Sequence, residues 1–407
     1  MARSFLLKGG RVIDPGREID AFLDVLVQDG VVVAIAPDLQ VDGMDAVYDM
    51  HELIITPGLV DSHTHCYYTG GIPDSWAGEN SLQPDIFSFP AGITTIVDVG
   101  SAGSVNFPHF LTTVIERAKT RIFALLNAAD YGMVGLQMEQ FPDKDDTNAF
   151  ARCVREHTKI IKGIKIAHYW GKDWKQVASG KRAQQASGLP IMVDFGIFHP
   201  ERPFEQLVME KLDAGDIVTH CFRPPVPVVD ENGKLYDYLF HAKERGIWFD
   251  LGHGCASFAL RSAVPAMRQG FLPDTFSSDL HALSVNSTVI DMPTLLSKML
   301  ACCDMPLIEL FRRVTSLPVK MLHLDDVGSL NLGAEADIAV WSLRKGNFGF
   351  ADAAGGKIEG NQRLECEMTF RAGNLVWDVN ARAARPFEQL PQWYGINAPD
   401  CRVVPQS

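Results

Sequence analysis

The sequence predicts an α/β fold: a (β/α)8 barrel of the TIM type with a small composite β-sandwich built from both termini. Eight short buried-strand candidates alternate with helical patterns between residues 56 and 325, as in a parallel sheet with crossover helices. Runs of β-branched and aromatic residues separated by turn residues occupy both ends, 1–55 and 326–385. With 407 residues, 46% of them hydrophobic and 21% charged, the chain can bury a large core.

Both ends of the chain consist of short strand candidates. The amino-terminal end contains FLLKGGRVIDP, DAFLDVLVQDG and VVVAIAPDL, apolar runs punctuated by Gly, Asp and Pro. The other end contains ADIAVWSL, ECEMTFRAG and NLVWDV. Neither end is long enough for a core of its own. We therefore expect 1–55 and 326–385 to share one small sandwich, because the termini of a domain often lie close together. Residues 386–407 are expected to form a C-terminal tail.

The middle segment, 56–325, is expected to be the barrel. Its strand candidates are, in order, GLVDSHTH, GITTIVDVGS, RIFALLNAAD, KGIKIAHYW, LPIMVDFG, DIVTHCF, GIWFDLGHG and DTFSSDLHA. Helical patterns such as PHFLTTVIERAKT, FEQLVMEKLDAG and FALRSAVPAMRQ lie between them. Eight strands suit a closed barrel better than an open sheet, and barrel enzymes place their chemistry at the carboxyl ends of the strands.

Charge and composition argue against several classes of partner. The chain has 37 Lys and Arg against 50 Asp and Glu, a net charge of −13, and no basic block, so we expect neither nucleic acid nor a membrane surface as partner. The longest apolar run near the start, VVVAIA, is far shorter than the ~20 residues that cross a bilayer, and no secretory segment precedes it. The eight cysteines form no CxxC pair, which favours reduced thiols and a cytoplasmic location.

The strongest chemical signal is a pair of histidines, His63 and His65, at the end of the first barrel strand. Residues i and i+2 of a strand point to the same face, so both imidazoles would lie at the mouth of the barrel. Two imidazoles on one side make half of a transition-metal site. Alone the pattern is weak, since two polar residues at a strand end are also common.

Three later strand segments add candidates. His220 closes DIVTH and Asp279 closes TFSSD, although a His or Asp at a strand end can also cap the following helix. Lys165 lies inside the apolar strand GIKIA, and a lysine is almost never buried without a partner. Burial lowers the pKa of the amine. A neutral amine can add CO2 to give a carbamate, an anionic ligand able to bridge two metal ions. The structural alternatives for Lys165 are an interior ion pair and a side chain that points outward and extends its amine to solvent.

These motifs together resemble the amidohydrolase superfamily. The resemblance is carried by PGLVDSHTH, a lysine in the fourth strand, a histidine in the sixth and SSD in the eighth. LLKGGRVIDP near the start and GSLNLGAEADIAVW near the end are similar to the sandwich signatures of that family, so the resemblance covers nearly the whole chain. DIVTHCF, GHGCASF and SSDLH resemble in particular the dihydroorotase-like amidohydrolase and deacetylase branch.

The resemblance implies a role for each candidate. His63 and His65 would bind the more buried metal together with Asp279. A carboxylated Lys165 would bridge to a second, more exposed metal, of which His220 is a ligand. Hydroxide between the metals would be the nucleophile, with Asp279 as general base and then general acid. Zinc is the default ion for such ligands, and two ions are favoured over one.

One position departs from the family pattern. The family has a histidine in the fifth strand as a ligand of the exposed metal, whereas this chain has Asp194 in LPIMVDFG. Asp194 can be a substitute ligand, since a carboxylate binds zinc at about the distance of an imidazole. His199, five residues later, can instead supply the missing imidazole. The third alternative is a weak or absent second metal.

The resemblance implies a metal-dependent hydrolase that cleaves an amide or ester bond of a small molecule, as in deacylation or deacetylation. His253 in DLGHG matches a position that faces the substrate, with a loop histidine bonded to backbone as the alternative. Hydrolysis of a cyclic amide, as by dihydroorotase or hydantoinase, is a second hypothesis. A non-catalytic binding or assembly protein with the same fold is a third, which Asp194 favours and the other ligands oppose. A homo-oligomer is expected from general tendencies.

Overall fold

The computed structural model describes residues 4–71, 75–135, 137–224 and 226–392. Its strands are β1 (Ser4–Asp14), β2 (Ile19–Gln28), β3 (Val31–Ala36), β4 (Ala46–Asp49), β5 (Ile54–Pro57), β6 (Leu59–Thr64), β7 (Ile93–Val99), β8 (Arg121–Asn127), β9 (Ile161–Ile166), β10 (Ile191–Val193), β11 (Ile217–Val218), β12 (Trp248–Phe249), β13 (Ile338–Ala351), β14 (Lys357–Arg371) and β15 (Asn374–Asp378). Residues 393–407 of the expected tail lie outside the described residues.

Helices follow most strands of the middle segment. They are α1 (Pro84–Ser88), α2 (Phe107–Phe110), α3 (Thr147–Glu156), α4 (Lys175–Ser187), α5 (Phe204–Gln206), α6 (Tyr238–Glu244), α7 (Leu260–Arg268), α8 (Ala282–Val285), α9 (Met292–Cys302), α10 (Leu307–Arg312) and α11 (Ser316–Leu322). The helices α2 and α5 are short because each continues as a π-helical turn, at Leu111–Ile115 and Leu207–Lys211. Among the described residues, no helix is long and apolar enough to cross a membrane.

Seven strands of the middle segment form one parallel sheet, in the order β6-β7-β8-β9-β10-β11-β12. Each pairs with the next strand along the chain, as alternating strands and helices predict. The eighth predicted strand is not a strand here. Its segment makes single parallel bridges, from Thr275 to Asp250 after β12 and from Leu280 to Thr64 of β6. The segment thus touches both ends of the sheet, while an eight-stranded closed barrel stays a prediction.

The eighth segment is irregular because some of its amides bond outside a strand ladder. The amide of Ser278 donates to the carboxylate of Asp61 at 3.0 Å. The amide of Phe276 donates to the carbonyl of Arg313 at 3.1 Å. An amide that is bonded to a side chain or a loop cannot pair with a neighbouring strand.

A separate eight-stranded sheet combines both ends of the chain. Its order is β15-β14-β13-β5-β1-β2-β3, with β4 paired to β1. The antiparallel pairing of β13 with β5, from Ile338 opposite Pro57 to Trp341 opposite Ile54, joins the two terminal segments. The overall class is therefore α/β, as predicted. The two-layer sandwich form and the boundaries 1–55, 326–385 and 56–325 stay predictions.

An apolar cluster fills the parallel sheet near the beginnings of its strands. Val60, Phe123 and Ile217 pack there with Met321 and Leu322 of α11. Buried polar side chains instead follow the ends of the strands, where the eight loops of a barrel enzyme would form its site. The packing therefore leaves the carboxyl end of the sheet for chemistry.

Candidate functional site

Three buried side chains converge at the carboxyl end of the parallel sheet: His63, His65 and Asp279. Oδ1 of Asp279 lies 3.6 Å from Nε2 of His63 and 3.2 Å from Nε2 of His65. Ligand atoms of the three residues all lie within 4.8 Å of one another. Two imidazoles and a carboxylate at this spacing can hold a divalent transition metal. We call these three residues the first group.

A hydrogen-bond relay fixes the orientation of the His63 ring. The hydroxyl of Thr219 donates to Oδ2 of Asp250 at 2.8 Å, so its oxygen can only accept from Nδ1 of His63, 3.0 Å away. His63 therefore carries its proton on Nδ1 and turns Nε2 toward Asp279. Burial, helped by the nearby charge of Lys165, lowers the pKa of His63 to about 3. The ring is neutral, and its Nε2 lone pair can bind a cation.

The other two members of the first group are fixed in a similar way. Nδ1 of His65 lies 3.0 Å from the hydroxyl of Ser101, which leaves Nε2 toward Asp279. Burial alone would raise the pKa of Asp279. Interactions with His63, His281 and His65 outweigh burial and hold that pKa well below its usual range. The carboxylate is therefore ionised and complements a cation.

Lys165 in β9 is buried near both carboxylates of the site and is 1% exposed. Burial lowers its pKa, and the charges of Asp194 and Asp279 oppose that shift. The Lys165 side chain packs directly against Gly100, where a larger residue would clash, because a Cβ at position 100 would lie only 2.5 Å from Cγ of Lys165. A buried amine with a lowered pKa is the chemical state that carbamate formation requires.

A second group forms around Asp194, which follows β10. Its Oδ2 lies 3.5 Å from Nε2 of His220 and 3.7 Å from Nε2 of His168, and its Oδ1 lies 3.1 Å from the guanidinium of Arg223. Nδ1 of His220 donates to the carbonyl of Gly252 at 2.6 Å, which turns Nε2 toward Asp194. Burial would raise the pKa of Asp194, but His220 and Arg223 outweigh it and hold that pKa far below its usual value.

The second group includes His168 and, behind it, Glu139, whose roles the sequence did not reveal. Nδ1 of His168 lies 2.8 Å from Oε2 of Glu139, and Asn127 donates to the other oxygen, Oε1, at 3.0 Å. Burial would lower the pKa of His168, but Glu139 and Asp194 outweigh it and raise that pKa. Glu139 lies in the 3-10 turn Met138–Gln140 after β8, in a stretch without a recognisable motif. The one feature of the sequence that could have indicated a role for Glu139 is that it is the single acidic residue in the largely apolar stretch VGLQMEQF.

Three residues of the two groups have left-handed backbone conformations. The φ angles are 56° at His168, 58° at His220 and 50° at Asp279. Such conformations are unfavourable for residues other than glycine and concentrate at functional sites, where the surrounding structure enforces them. His168 follows β9 and His220 follows β11, while Asp279 lies in the irregular eighth segment, so all three side chains lie at the carboxyl end of the sheet.

His253 is completely buried and lies behind Asp279. Its Nδ1 donates to the carbonyl of Gly254 at 2.9 Å, and its Nε2 accepts from Lys298 at 2.7 Å. The adjacent Gly254 packs against Asp279, since a Cβ at position 254 would lie 2.3 Å from Oδ2 of that residue. Both ring nitrogens are engaged by protein groups, and the direct substrate contact expected for His253 stays a prediction.

Trp76 touches members of both groups. Its ring centroid lies 5.6 Å from that of His65, 6.1 Å from that of His168 and 4.3 Å from that of His281. His281 in turn places Nδ1 2.7 Å from the backbone carbonyl of Asp279. The indole therefore limits the space beside the two groups.

His199, the alternative source of an imidazole, bonds elsewhere. Its Nε2 lies 2.9 Å from the carbonyl of Trp170 in a neighbouring loop. The structure thus brings His220 and His168 to Asp194, and it holds His199 by its own hydrogen bond in that loop.

Comparison with known proteins gives similarities that cover most of the chain. The chain is 33% identical to a deacetylase of Agrobacterium fabrum over 341 residues, 82% of this chain and 81% of that protein. It is 32% identical to a deacetylase of Brucella anthropi over 355 residues, 85% of this chain and 86% of that protein. A crystal structure of a dihydroorotase superposes with a TM-score of 0.79 at 30% identity, covering 92% of this chain and 99% of the other. No family model matches the chain.

Proposed function

This chain belongs to the amidohydrolase superfamily, and we propose that within it the protein is a metal-dependent hydrolase that removes an acyl group from a small molecule. The bond cleaved is an amide or ester, with deacetylation as the leading reaction. The observation that carries this proposal is the convergence of two imidazoles, those of His63 and His65, on the ionised carboxylate of Asp279. A donor set of this kind fits zinc, which prefers nitrogen and oxygen ligands in tetrahedral sites.

The ligand assignment extends to both groups. His63, His65 and Asp279 would hold one ion, and Asp194 and His220 would contribute ligands to a second. A carbamate formed on Lys165 would supply a further anionic oxygen ligand, and the lowered pKa of this buried amine supports that role. Bound ions of this kind supply a water of lowered pKa and polarise the carbonyl that is attacked.

Asp279 moves the proton of the reaction. As an ionised carboxylate it accepts the proton of the attacking water while a new C–O bond forms. It then gives that proton to the departing nitrogen or oxygen as the acyl C–N or C–O bond breaks. Gly254 and His253 serve this step indirectly, because they hold the backbone against Oδ2 of Asp279.

A cyclic amide is the second candidate substrate. The similarity to a solved dihydroorotase at 30% identity favours a cyclic amide, because the match to that structure covers at least as much of this chain as the match to the deacetylases does. Both reactions use the same attack on an amide carbonyl and differ in the shape of the substrate. The loops after β8, β9 and β10, which carry exposed aromatic residues such as Tyr131 and Trp170, would decide between them.

The fold proposal is that the segment Thr275–Leu280 acts as the eighth strand of a barrel. Its two bridges to the ends of the parallel sheet support this closure. The segment would then bring Asp279 to the mouth in the same way that β6 brings His63 and His65.

A substrate panel with one matched pair of variants tests the function. Purified protein is assayed with N-acetyl amino acids, O-acetyl hydroxy acids and cyclic amides such as dihydroorotate. We expect hydrolysis in one class and a drop of about 10²–10⁴ in kcat for Asp279→Asn. The control is Asp38→Asn, an exposed carboxylate in the turn after β3, which should leave kcat unchanged. Equal activity of Asp279→Asn and the unaltered protein would overturn the assignment.

A further inference from the structure

Asp279, the proposed acid–base group, has a buried lysine behind it. We propose that Lys298 of α9 is a positioning residue that acts through His253 to hold Oδ2 of Asp279 in place for proton transfer. The inference rests on the proposed function, because it adds a support to the group that moves the proton. It concerns Oδ2, since Oδ1 is the oxygen that lies nearest His63 and His65.

Lys298 is completely buried and, among the described residues, makes no ion pair with a carboxylate. A lysine is almost never buried in this way without an acidic partner. Its amine donates to the backbone carbonyl of Thr288 at 2.8 Å and to Nε2 of His253 at 2.7 Å. The bond to His253 is therefore the contact through which this lysine can act on the site.

Two hydrogen bonds and a ring stack fix the orientation of His253. The carbonyl of Gly254 can only accept, so Nδ1, 2.9 Å away, carries a proton. Nε2 accepts from Lys298, whose nitrogen has at least two N–H groups in either charge state. The ring of Phe258 stacks on the imidazole, with centroids 4.6 Å apart and an angle of 18° between the planes. Without the amine, Nε2 would be a buried polar atom that lacks a partner.

The backbone of His253 and Gly254 pairs with the segment that carries Asp279. The amide of His253 donates to the carbonyl of Ser277 at 3.1 Å, and the amide of Gly254 donates to that of Ser278 at 3.0 Å. Gly254 also lies directly against Asp279, because a Cβ there would be 2.3 Å from Oδ2. A shift of the peptide between His253 and Gly254 would therefore move the surface against which the carboxylate rests.

The helix that carries Lys298 is tied to the terminal sheet. The hydroxyl of the adjacent Ser297 donates to the carbonyl of Pro293 at 2.6 Å and accepts from the amide of Leu364 in β14 at 2.9 Å. All three of these residues lie in regular elements, so the lysine extends from a fixed base. The contacts thus run without a gap from the terminal sheet through α9 to the loop that supports Asp279.

A double-mutant cycle tests this route. The full-length protein, Lys298→Met, His253→Asn and the double variant are compared for kcat and KM on the best substrate of the panel, with bound metal measured by mass spectrometry. The asparagine side chain can keep the bond to the Gly254 carbonyl but is too short to meet the amine. Lys298→Leu repeats the test if Lys298→Met does not fold.

Lys243→Met is the matched control. The amine of Lys243 on α6 likewise bonds to a backbone carbonyl, that of Leu272 at 2.7 Å, and also to Oδ1 of Asp274 at 2.6 Å. Both partners precede the segment that carries Asp279. We expect Lys243→Met to lose thermal stability and to keep kcat, which separates a general loss of packing from an effect on the site.

We expect kcat to fall by about 10–100-fold in Lys298→Met, with KM and bound metal unchanged because Oδ1 of Asp279 still faces the two imidazoles. His253→Asn should show the same loss, and the double variant no further loss, since the two residues act as one unit. Full kcat in either single variant, losses that multiply in the double variant, or loss of metal from Lys298→Met would overturn the inference and leave the proposed hydrolase intact. An unaltered protein that hydrolyses no class of the panel would overturn both.

Discussion

Gly254 offers a sharp test of how the site positions Asp279, the proposed acid–base group. A Cβ at this position would lie 2.3 Å from Oδ2 of Asp279, while real Cβ atoms essentially never approach closer than 3.0 Å. In Gly254→Ala the carboxylate must therefore move by at least about 0.7 Å, and a displacement near 1 Å at a reacting centre can cost about 100-fold in rate. We expect kcat to fall by about that factor.

The substitution also has a backbone cost, which a control must separate from the effect on Asp279. Gly254 has a φ of 51°, and an L-residue there loses about 1–2 kcal/mol of folding free energy. Gly188 has a φ of 74° and open space around its Cβ position, so Gly188→Ala should show a similar stability loss with unchanged kcat.

The assay is kcat on the best substrate of the panel, with thermal unfolding measured in parallel. The expected pattern is a large rate loss in Gly254→Ala and none in Gly188→Ala, at comparable losses of stability. If Gly254→Ala kept the full rate, Oδ2 of Asp279 would not be the group that moves the proton, and the argument from its position would fail.

Three further predictions concern the lysines and the relay behind His63. Lys165→Met should lower both metal content and kcat, the latter by at least about 100-fold, because the ligand proposed to form on Lys165 is lost; full activity would exclude that role. Thr219→Val removes the nearer acceptor of Nδ1 of His63 and leaves only the longer contact to Oδ2 of Asp250 at 3.4 Å. It should weaken metal binding by about 10–100-fold, measured by competition with a chelator. Burial lowers the pKa of Lys298 from 10.5 to about 8 in the folded protein. Between these two pH values the amine is neutral in the folded chain and protonated in the unfolded chain. Stability should therefore rise from pH 8 to 10.5, and Lys298→Met should flatten that slope in denaturant titrations; an unchanged slope would contradict the assignment.

Several features of the site follow from sequence periodicity. The i, i+2 spacing of His63 and His65 places both rings on one side of a strand, and both reach the same oxygen of Asp279. Lys165 in an apolar run is buried, as its context indicates. Seven of the eight strand candidates are strands, because apolar β-branched runs bounded by turn residues report on the local backbone.

What periodicity could not reveal depends on contacts between loops. Glu139 meets His168 because the turns after β8 and β9 lie side by side, a relation with no spacing in the sequence. The eighth strand candidate has the right composition, yet Asp61 takes the amide of Ser278 that a strand would use. The buried Lys298 lies on α9, where helical periodicity alone shows an apolar face and not its bond to His253.

Metal removal and return test the central claim most directly. The protein is stripped with a chelator, shown to remain folded, and titrated with Zn2+ while hydrolysis and bound ions are measured together. If His63, His65 and Asp279 gather the ion on which the reaction depends, activity disappears on stripping and returns in proportion to the ions bound. Activity that survives complete removal of metal would contradict the account.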